Sequence, residues 1–260
     1  MLIAIDIGNT NIKIGVFKND TIVAHWRVLT ERHKLADEYV VLLHNLLELA
    51  KIDRKDIHGC VMSCVVPPLT TQFTQVCENY LGIAPLMVGP RVPSGLRFDV
   101  ESPDEMGSDR IANSLAATRL YGTPVIAIAF GTATTFDVVV DDVYIGGCIA
   151  PGLGISSDAL FSLAARLYQV ELIRPPTVIA RNTMHHMQAG VIIGYTGLVE
   201  GIVSRMHAEL GQTCPVVVTG GLADVIAKET PVITAVEPNL TLNGLRMIYL
   251  HNRPEHAEQR

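Results

Sequence analysis

Basic stretches are missing from this chain of 260 residues. Its 20 Lys and Arg are scattered among 26 Asp and Glu, for a formal net charge of −6. That balance excludes the basic stripe on which nucleic acid or an anionic membrane surface would bind. Cysteines are few, odd in number and unpaired in spacing: Cys60, Cys64, Cys77, Cys148 and Cys214, with no C-x-x-C. A disulfide framework and a zinc site are therefore not expected, and reduced thiols in a cytoplasmic protein are. His185 and His186 are adjacent and cannot share one helix face, so they do not read as a metal pair. No apolar run reaches the roughly 18 to 20 residues of a spanning helix. The opening MLIAIDIGNT meets Asp6 and lacks a basic region before it, so it reads as a strand and not as a signal peptide. A Ser/Pro-rich linker is also absent.

What is present is a chain with 48% hydrophobic and 18% charged residues, the composition of a packed core. Short Val/Ile-rich runs predict strands over 2–7, 11–17, 21–28, 58–63, 125–129, 134–140 and 215–219. Helical periodicity predicts helices over 36–50, 69–81, 109–120, 156–167, 188–209 and 242–249. This alternation is that of an α/β class.

The pattern also repeats. The opening I-A-I-D-I-G-N-T-N and the later I-A-I-A-F-G-T-A-T each give a strand, a Gly-centred polar turn, a second strand and a polar hairpin. With Gly8 set on Gly131, Asn19 falls on Asp142 without a gap and Asp6 falls on Ala129. A duplication follows, with halves expected at 1–115 and 116–260 and a cleft between them.

Three segments carry chemistry. In Asp6-Ile7-Gly8-Asn9-Thr10-Asn11, the turn glycine lets backbone approach an anion, and the polar side chains offer donors to phosphate oxygens. Asp6 would hold Mg²⁺ through water. Taken alone, an ordinary polar hairpin explains this turn nearly as well. The second segment, Gly131-Thr132-Ala133-Thr134-Thr135, has the same design and suits a second phosphate loop. The third, Gly107-Ser108-Asp109-Arg110, opens an amphipathic helix. Asp109 is explained there by the helix dipole or as a group facing a substrate hydroxyl. Arg110 is not favoured at a helix start and suits a substrate carboxylate. Gly220-Gly221 after a buried strand suits a nucleotide or a plain strand-to-helix turn, and 146–152 reads as a turn or a cleft floor.

In these residues the chain resembles the type III pantothenate kinases, of the acetate and sugar kinase/Hsc70/actin superfamily. The resemblance runs through Asp6 to Lys13, Gly107 to Arg110, Phe130 to Thr135, Gly146 to Gly152, Asn182 to Gly190, Thr219 to Gly221 and Asn239 to Leu245. It implies duplicated actin-like, ribonuclease H-like domains with mixed sheets flanked by helices, and ATP in the interdomain cleft. It implies phosphorylation of pantothenate to 4′-phosphopantothenate, the first step of coenzyme A biosynthesis. Asp109 would be the catalytic base. Asp6, Gly8, Asn9, Thr10, Asn11, Lys13, Gly131, Thr132, Gly220 and Gly221 would hold ATP, with Mg²⁺ at Asp6. Gly107, Ser108, Asp109, Arg110, Thr183 and Val100 would line the pantothenate site. A cytoplasmic homodimer, with no nucleic-acid or membrane partner, is the implied assembly.

Two positions depart from the family pattern. Ala129 replaces an Asp that helps to bind K⁺ or NH₄⁺, and a methyl group coordinates no cation. Val100 replaces a Tyr that walls the pantothenate pocket. They motivate two alternatives: a nucleotide-binding regulatory relative with weak turnover, and a kinase for another small hydroxy acid.

Overall fold

A computed structural model describes residues 1–253. It divides into two compact units, Met1–Ala116 with the segment from Leu240, and Ala117–Asn239.

The first unit opens with strands β1 (Leu2–Ile7), β2 (Asn11–Lys18) and β3 (Thr21–Leu29), then helix α1 (Ala36–Leu49). Strand β4 (Gly59–Cys64), helix α2 (Pro67–Gln75) and the short strands β5 (Leu86–Met87) and β6 (Arg97–Phe98) follow, before helix α3 (Ser108–Tyr121). The second unit has strands β7 (Val125–Phe130), β8 (Ala133–Val140) and β9 (Val143–Pro151), and helices α4 (Leu153–Leu163), α5 (Thr183–Gln188) and α6 (Gly194–Leu210). Strand β10 (Val216–Gly220), helix α7 (Ala223–Ala227) and strand β11 (Ala235–Val236) complete it, and helix α8 (Leu240–Asn252) follows.

In the first unit the strand order is β3-β2-β1-β4-β5, with β1, β4 and β5 parallel and β2 antiparallel to both its neighbours. In the second unit, β9-β8-β7-β10-β11 repeats the order and the sense of every pairing. The central strand β1 is covered on both faces and is a nearly unbroken apolar run, whereas β3 alternates half-buried and exposed positions. Helix α1 buries Tyr39, Leu43 and Leu47, spaced four apart, as α6 buries Tyr195, Val199 and Val203. By length and composition alone the helical run 183–210 could cross a membrane. Here its inner face belongs to the core of the second unit, with Val216 and Val218.

The duplication extends to a defect. A β-bulge interrupts β2/β3 between Val16 and Phe17, and another interrupts β8/β9 between Val138 and Val139. Matching the bulges places Asn19 on Asp141, and both have positive φ, 56° and 50°. The gap-free alignment of Asn19 with Asp142 is therefore off by one residue. The reason lies in the turns: Gly8 N–H closes on Asn11 O, while Gly131 N–H closes on Ala133 O. The second turn is one residue shorter.

Other sequence expectations are corrected by packing. Residues 146–150 do not form a turn but are part of β9. Gly147 sits there because a Cβ would lie 1.8 Å from Phe136 O. Helix α4 begins three residues earlier than expected, and the run expected as 188–209 starts at Thr183 and passes through a wider π-helical turn at Ala189–Ile193. Helix α8 belongs with the first unit: Leu242 packs on Gly15, and a Cβ on Gly244 would lie 1.9 Å from Ala112 O of α3. Two backbones meet where only glycine fits.

Candidate active site

In the first unit, the pairing of β2, β1 and β4 sets Lys13, Asp6 and Ser63 side by side in one row. Apolar neighbours along β1 leave Asp6 only 5% exposed, an unfavourable place for a carboxylate without partners. Lys13 Nζ lies 3.7 Å from Asp6 Oδ2, and Ser63 is the neighbour of Asp6 on the adjacent strand. Burial pushes the Asp6 carboxyl up to about 6; Lys13 draws it down, the Asp109 carboxylate pushes it up, and Ser63 lowers it. Oδ1 of Asp6 is buried without a hydrogen-bond partner.

Past Asp6 the chain enters the first turn. Thr30 ties it down from β3's end, its Oγ1 donating to Gly8 O at 2.7 Å and its N–H to Thr10 O at 3.0 Å. Asn9 and Thr10 are exposed at the tip, and Arg32 donates to Asn9 Oδ1 at 3.0 Å. Asn11 is half-buried at the start of β2.

Helix α3 begins beside this row. Ser63 Oγ is 2.8 Å from Ser108 Oγ, and both side chains are buried. Asp109 is half-buried, and its Oδ1 would lie 2.7 Å from a Cβ on Gly107, so glycine there gives the carboxylate its room. Arg110 runs past the same glycine. One turn further, Asn113 is 3% exposed and its Oδ1 has no hydrogen-bond partner. Val100 is half-buried in the segment leading to this helix.

In the second unit, Gly131 and Thr132 form the exposed tip of the shorter turn. Gly152 N–H donates to Thr132 O at 3.0 Å, and a Cβ on Gly152 would lie 2.3 Å from the carbonyl oxygens of both Gly131 and Thr132. Thr134 bonds the Tyr195 hydroxyl, which donates to Pro151 O at 3.0 Å. Gly220 has φ 109° and lies against Phe130 O, a close approach of β10 to β7 that itself requires glycine. Gly221 and Thr183 are exposed, the latter opening α5.

The row equivalent to Lys13, Asp6 and Ser63 in this unit is Thr135, Ala129 and Thr219. Ammonium, carboxylate and hydroxyl are replaced by hydroxyl, methyl and hydroxyl. Oγ1 of Thr135 and of Thr219 are buried without a partner.

The first unit thus brings together Asp6, Lys13, the turn 8–11 and the helix start 107–110. Gly131, Thr132, Thr183, Gly220 and Gly221 belong to the second unit. Ser63 and Asn113 were missed by sequence reasoning, and so was Thr241, whose Oγ1 accepts from Lys13 Nζ at 3.2 Å. A serine within an apolar strand was the only available signal for Ser63.

Comparison with known proteins shows the family and the fold. The family model described as type III pantothenate kinase matches residues 2–205. A type III pantothenate kinase from Roseiflexus sp. (strain RS-1) is 66% identical over 254 residues, 97% of this chain and 100% of that protein. Among solved structures, a protein assigned to the Baf family of transcriptional activators from Campylobacter jejuni superposes with a TM-score of 0.61 at 18% identity, covering 97% of this chain and 99% of that one. An inorganic polyphosphate/ATP-glucomannokinase from Arthrobacter sp. strain KM gives 0.50 at 15% identity, covering 98% and 99%. At such identities the two structures speak for the fold alone, and that fold is the duplicated actin-like one.

Proposed function

The chain belongs to the type III pantothenate kinase family, and from that premise we propose that it transfers the γ-phosphoryl group of ATP to pantothenate, giving 4′-phosphopantothenate and ADP. The observation that carries this reading is the link from the first phosphate turn to the helix bearing the base: Lys13, Asp6 and Ser63 side by side in one row, and Ser63 bonded to Ser108, the residue before Asp109.

Phosphoryl transfer asks the protein for positioning and charge stabilisation more than for covalent chemistry. Asp109 takes the proton from the primary hydroxyl of pantothenate, whose oxygen attacks the γ-phosphorus in line while ADP leaves on the opposite side. Arg110 and Thr183 hold the substrate carboxylate and polar groups, and Gly107, Ser108 and Val100 shape the site around them. The backbone of 8–11, with Lys13, and that of 131–132 receive phosphate oxygens, and Gly220-Gly221 give the nucleoside a flat backbone surface. Asp6 fits a hydrated Mg²⁺, because it is a buried carboxylate with one unpartnered oxygen. Such an ion, when bound, supplies neutralisation of the phosphate charge.

The residues do not fit a monovalent cation equally well. The Ala129 row offers neutral hydroxyls and a methyl group, and no carboxylate for such an ion. The same row is the observation behind a second reading, a nucleotide-binding regulator with weak turnover. Val100 is the observation behind another acceptor, a different small hydroxy acid.

The reading includes a homodimer in the cytoplasm, without nucleic-acid or membrane partners. Apolar side chains of the second unit support the dimer, since Leu163 and Ile179 are 85% and 90% exposed and would be covered by a second copy. Five free cysteines suit a reducing compartment. Incubation with ATP, Mg²⁺ and pantothenate, read by mass spectrometry for 4′-phosphopantothenate, tests the activity. ATP binding without transfer would favour the regulator, and transfer to another hydroxy acid would change the acceptor.

A further inference from the structure

Helix α8 returns to the first unit from the far end of the chain and places its second residue, Thr241, against the phosphate turn. Thr241 is 2% exposed, and its Oγ1 accepts from Lys13 Nζ at 3.2 Å across 228 residues of sequence. The first turn of α8 cannot drift. Leu242 packs against Gly15 on β2, two residues from Lys13, and Gly244 lies against the backbone of α3 at Ala112, one turn from Asp109.

The charge arithmetic at Lys13 gives the contact its meaning. An ammonium has three donors. One goes to Thr241 at 3.2 Å, while the Asp6 carboxylate draws the ammonium by charge across 3.7 Å. An N–H is left for an incoming oxygen. A lysine stem has four rotatable bonds and loses considerable freedom on being fixed, so two anchors set its direction before the nucleotide arrives. The start of a helix is the positive end of its dipole and a poor place for a cation, so the hydroxyl oxygen supplies the acceptor that the helix terminus does not.

We propose that Thr241 is a positioning residue for phosphoryl transfer: its hydroxyl, with Asp6, holds the Lys13 ammonium so that its remaining N–H meets a phosphate oxygen of ATP. The proposal rests on the kinase reading above for its kinetic consequences, but not for its effect on nucleotide binding.

The test compares Thr241→Val, which keeps shape and removes the acceptor, with Thr241→Ser, which keeps the acceptor. Steady-state kinetics would be run with ATP varied and then with pantothenate varied. Calorimetry would measure binding of a non-hydrolysable ATP analogue with Mg²⁺. Thr241→Val is expected to lower kcat/KM for ATP and the analogue affinity about tenfold, the scale of one hydrogen bond to a charged group. The KM for pantothenate should stay within about twofold, and Thr241→Ser should restore both ATP quantities. In a Lys13→Met background, Thr241→Val should add almost nothing. Unchanged ATP parameters in Thr241→Val, equal loss in Thr241→Ser, or full additivity with Lys13→Met would overturn the proposal. A wild-type chain that binds the analogue but phosphorylates no pantothenate would sink the kinase reading alone, leaving the affinity comparison to decide on Thr241. A wild-type chain that binds no analogue would sink both.

Discussion

Ser63 Oγ and Ser108 Oγ lie 2.8 Å apart, and this bond joins the central strand row to the first turn of the helix that carries Asp109. Ser63 is also the neighbour of Asp6 across the pairing of β1 and β4. The strand beside Asp6 and the start of the base-bearing helix are thus tied by a buried hydroxyl pair.

Ser63→Ala leaves the Ser108 hydroxyl short of a partner in a buried place. The expected cost is about 1 to 3 kcal/mol in unfolding free energy. A fall in kcat of about tenfold should accompany it, because a small misplacement of Asp109 is costly to an in-line reaction. Denaturant melts and initial rates on the same preparation check both.

Asp6 makes the ligand-free protein sensitive to pH. Its carboxyl sits at about 6 in the folded chain against 3.8 ordinarily, mainly through burial. The folded state therefore binds this proton more tightly than the unfolded one. The stability it contributes is complete below the ordinary value and is lost as pH rises through about 6. At pH 8 the ionised group costs on the order of 2 to 3 kcal/mol. Asp6→Asn should then unfold at higher denaturant than wild type at pH 8, with the difference closing towards pH 4. An unchanged gap across that window would show that Asp6 is not the group responsible.

Much of this site was legible in sequence because the relevant signals are local. Asp6, Gly8 and the helix start, expected at Asp109 and found at Ser108, each announce themselves by a polar or glycine break in an apolar pattern. The strand boundaries of β1 and the pairing of Asp6 with Ala129 through the repeat follow from the same pattern. The one-residue shortening of the second turn was not legible, since Asp141 and Asp142 are chemically alike and only the bulge at Val138 fixes the register. The contacts of Ser63 and Thr241 were invisible for a different reason. Each acts through a partner 45 or 228 residues away, and no periodicity encodes such a contact. Gly146-Gly147 misled because glycine disfavours strands, yet β9 needs it where the backbone of β8 comes close.

Ala129 sets the expected response to salts. With a methyl where a carboxylate would be needed, replacing K⁺ by Na⁺ at constant ionic strength should change kcat by less than about twofold, since an exchange between ions that the site does not bind costs little. Steep activation by K⁺ would show that other ligands, the Thr135 and Thr219 hydroxyls among them, rebuild a site.

Gly244 is where α8 meets α3. Gly244→Ala would place a Cβ 1.9 Å from Ala112 O, which nothing flexible can relieve. We expect a loss of roughly 3 kcal/mol or more of stability, beyond ordinary overpacking, because the obstacle is backbone. Because α8 also carries Thr241, the variant that remains folded should show weaker ATP binding. Thermal melts with and without an ATP analogue measure the two effects.

The most direct test of the account is detection of 4′-phosphopantothenate by mass spectrometry after incubation with ATP, Mg²⁺ and pantothenate, for wild type and Asp109→Asn side by side. The account predicts product from wild type and a loss of about 10² to 10⁴-fold in Asp109→Asn, the range for removing a general base, with ATP binding nearly intact. Equal product from both proteins, or none from wild type while ATP still binds, would contradict it.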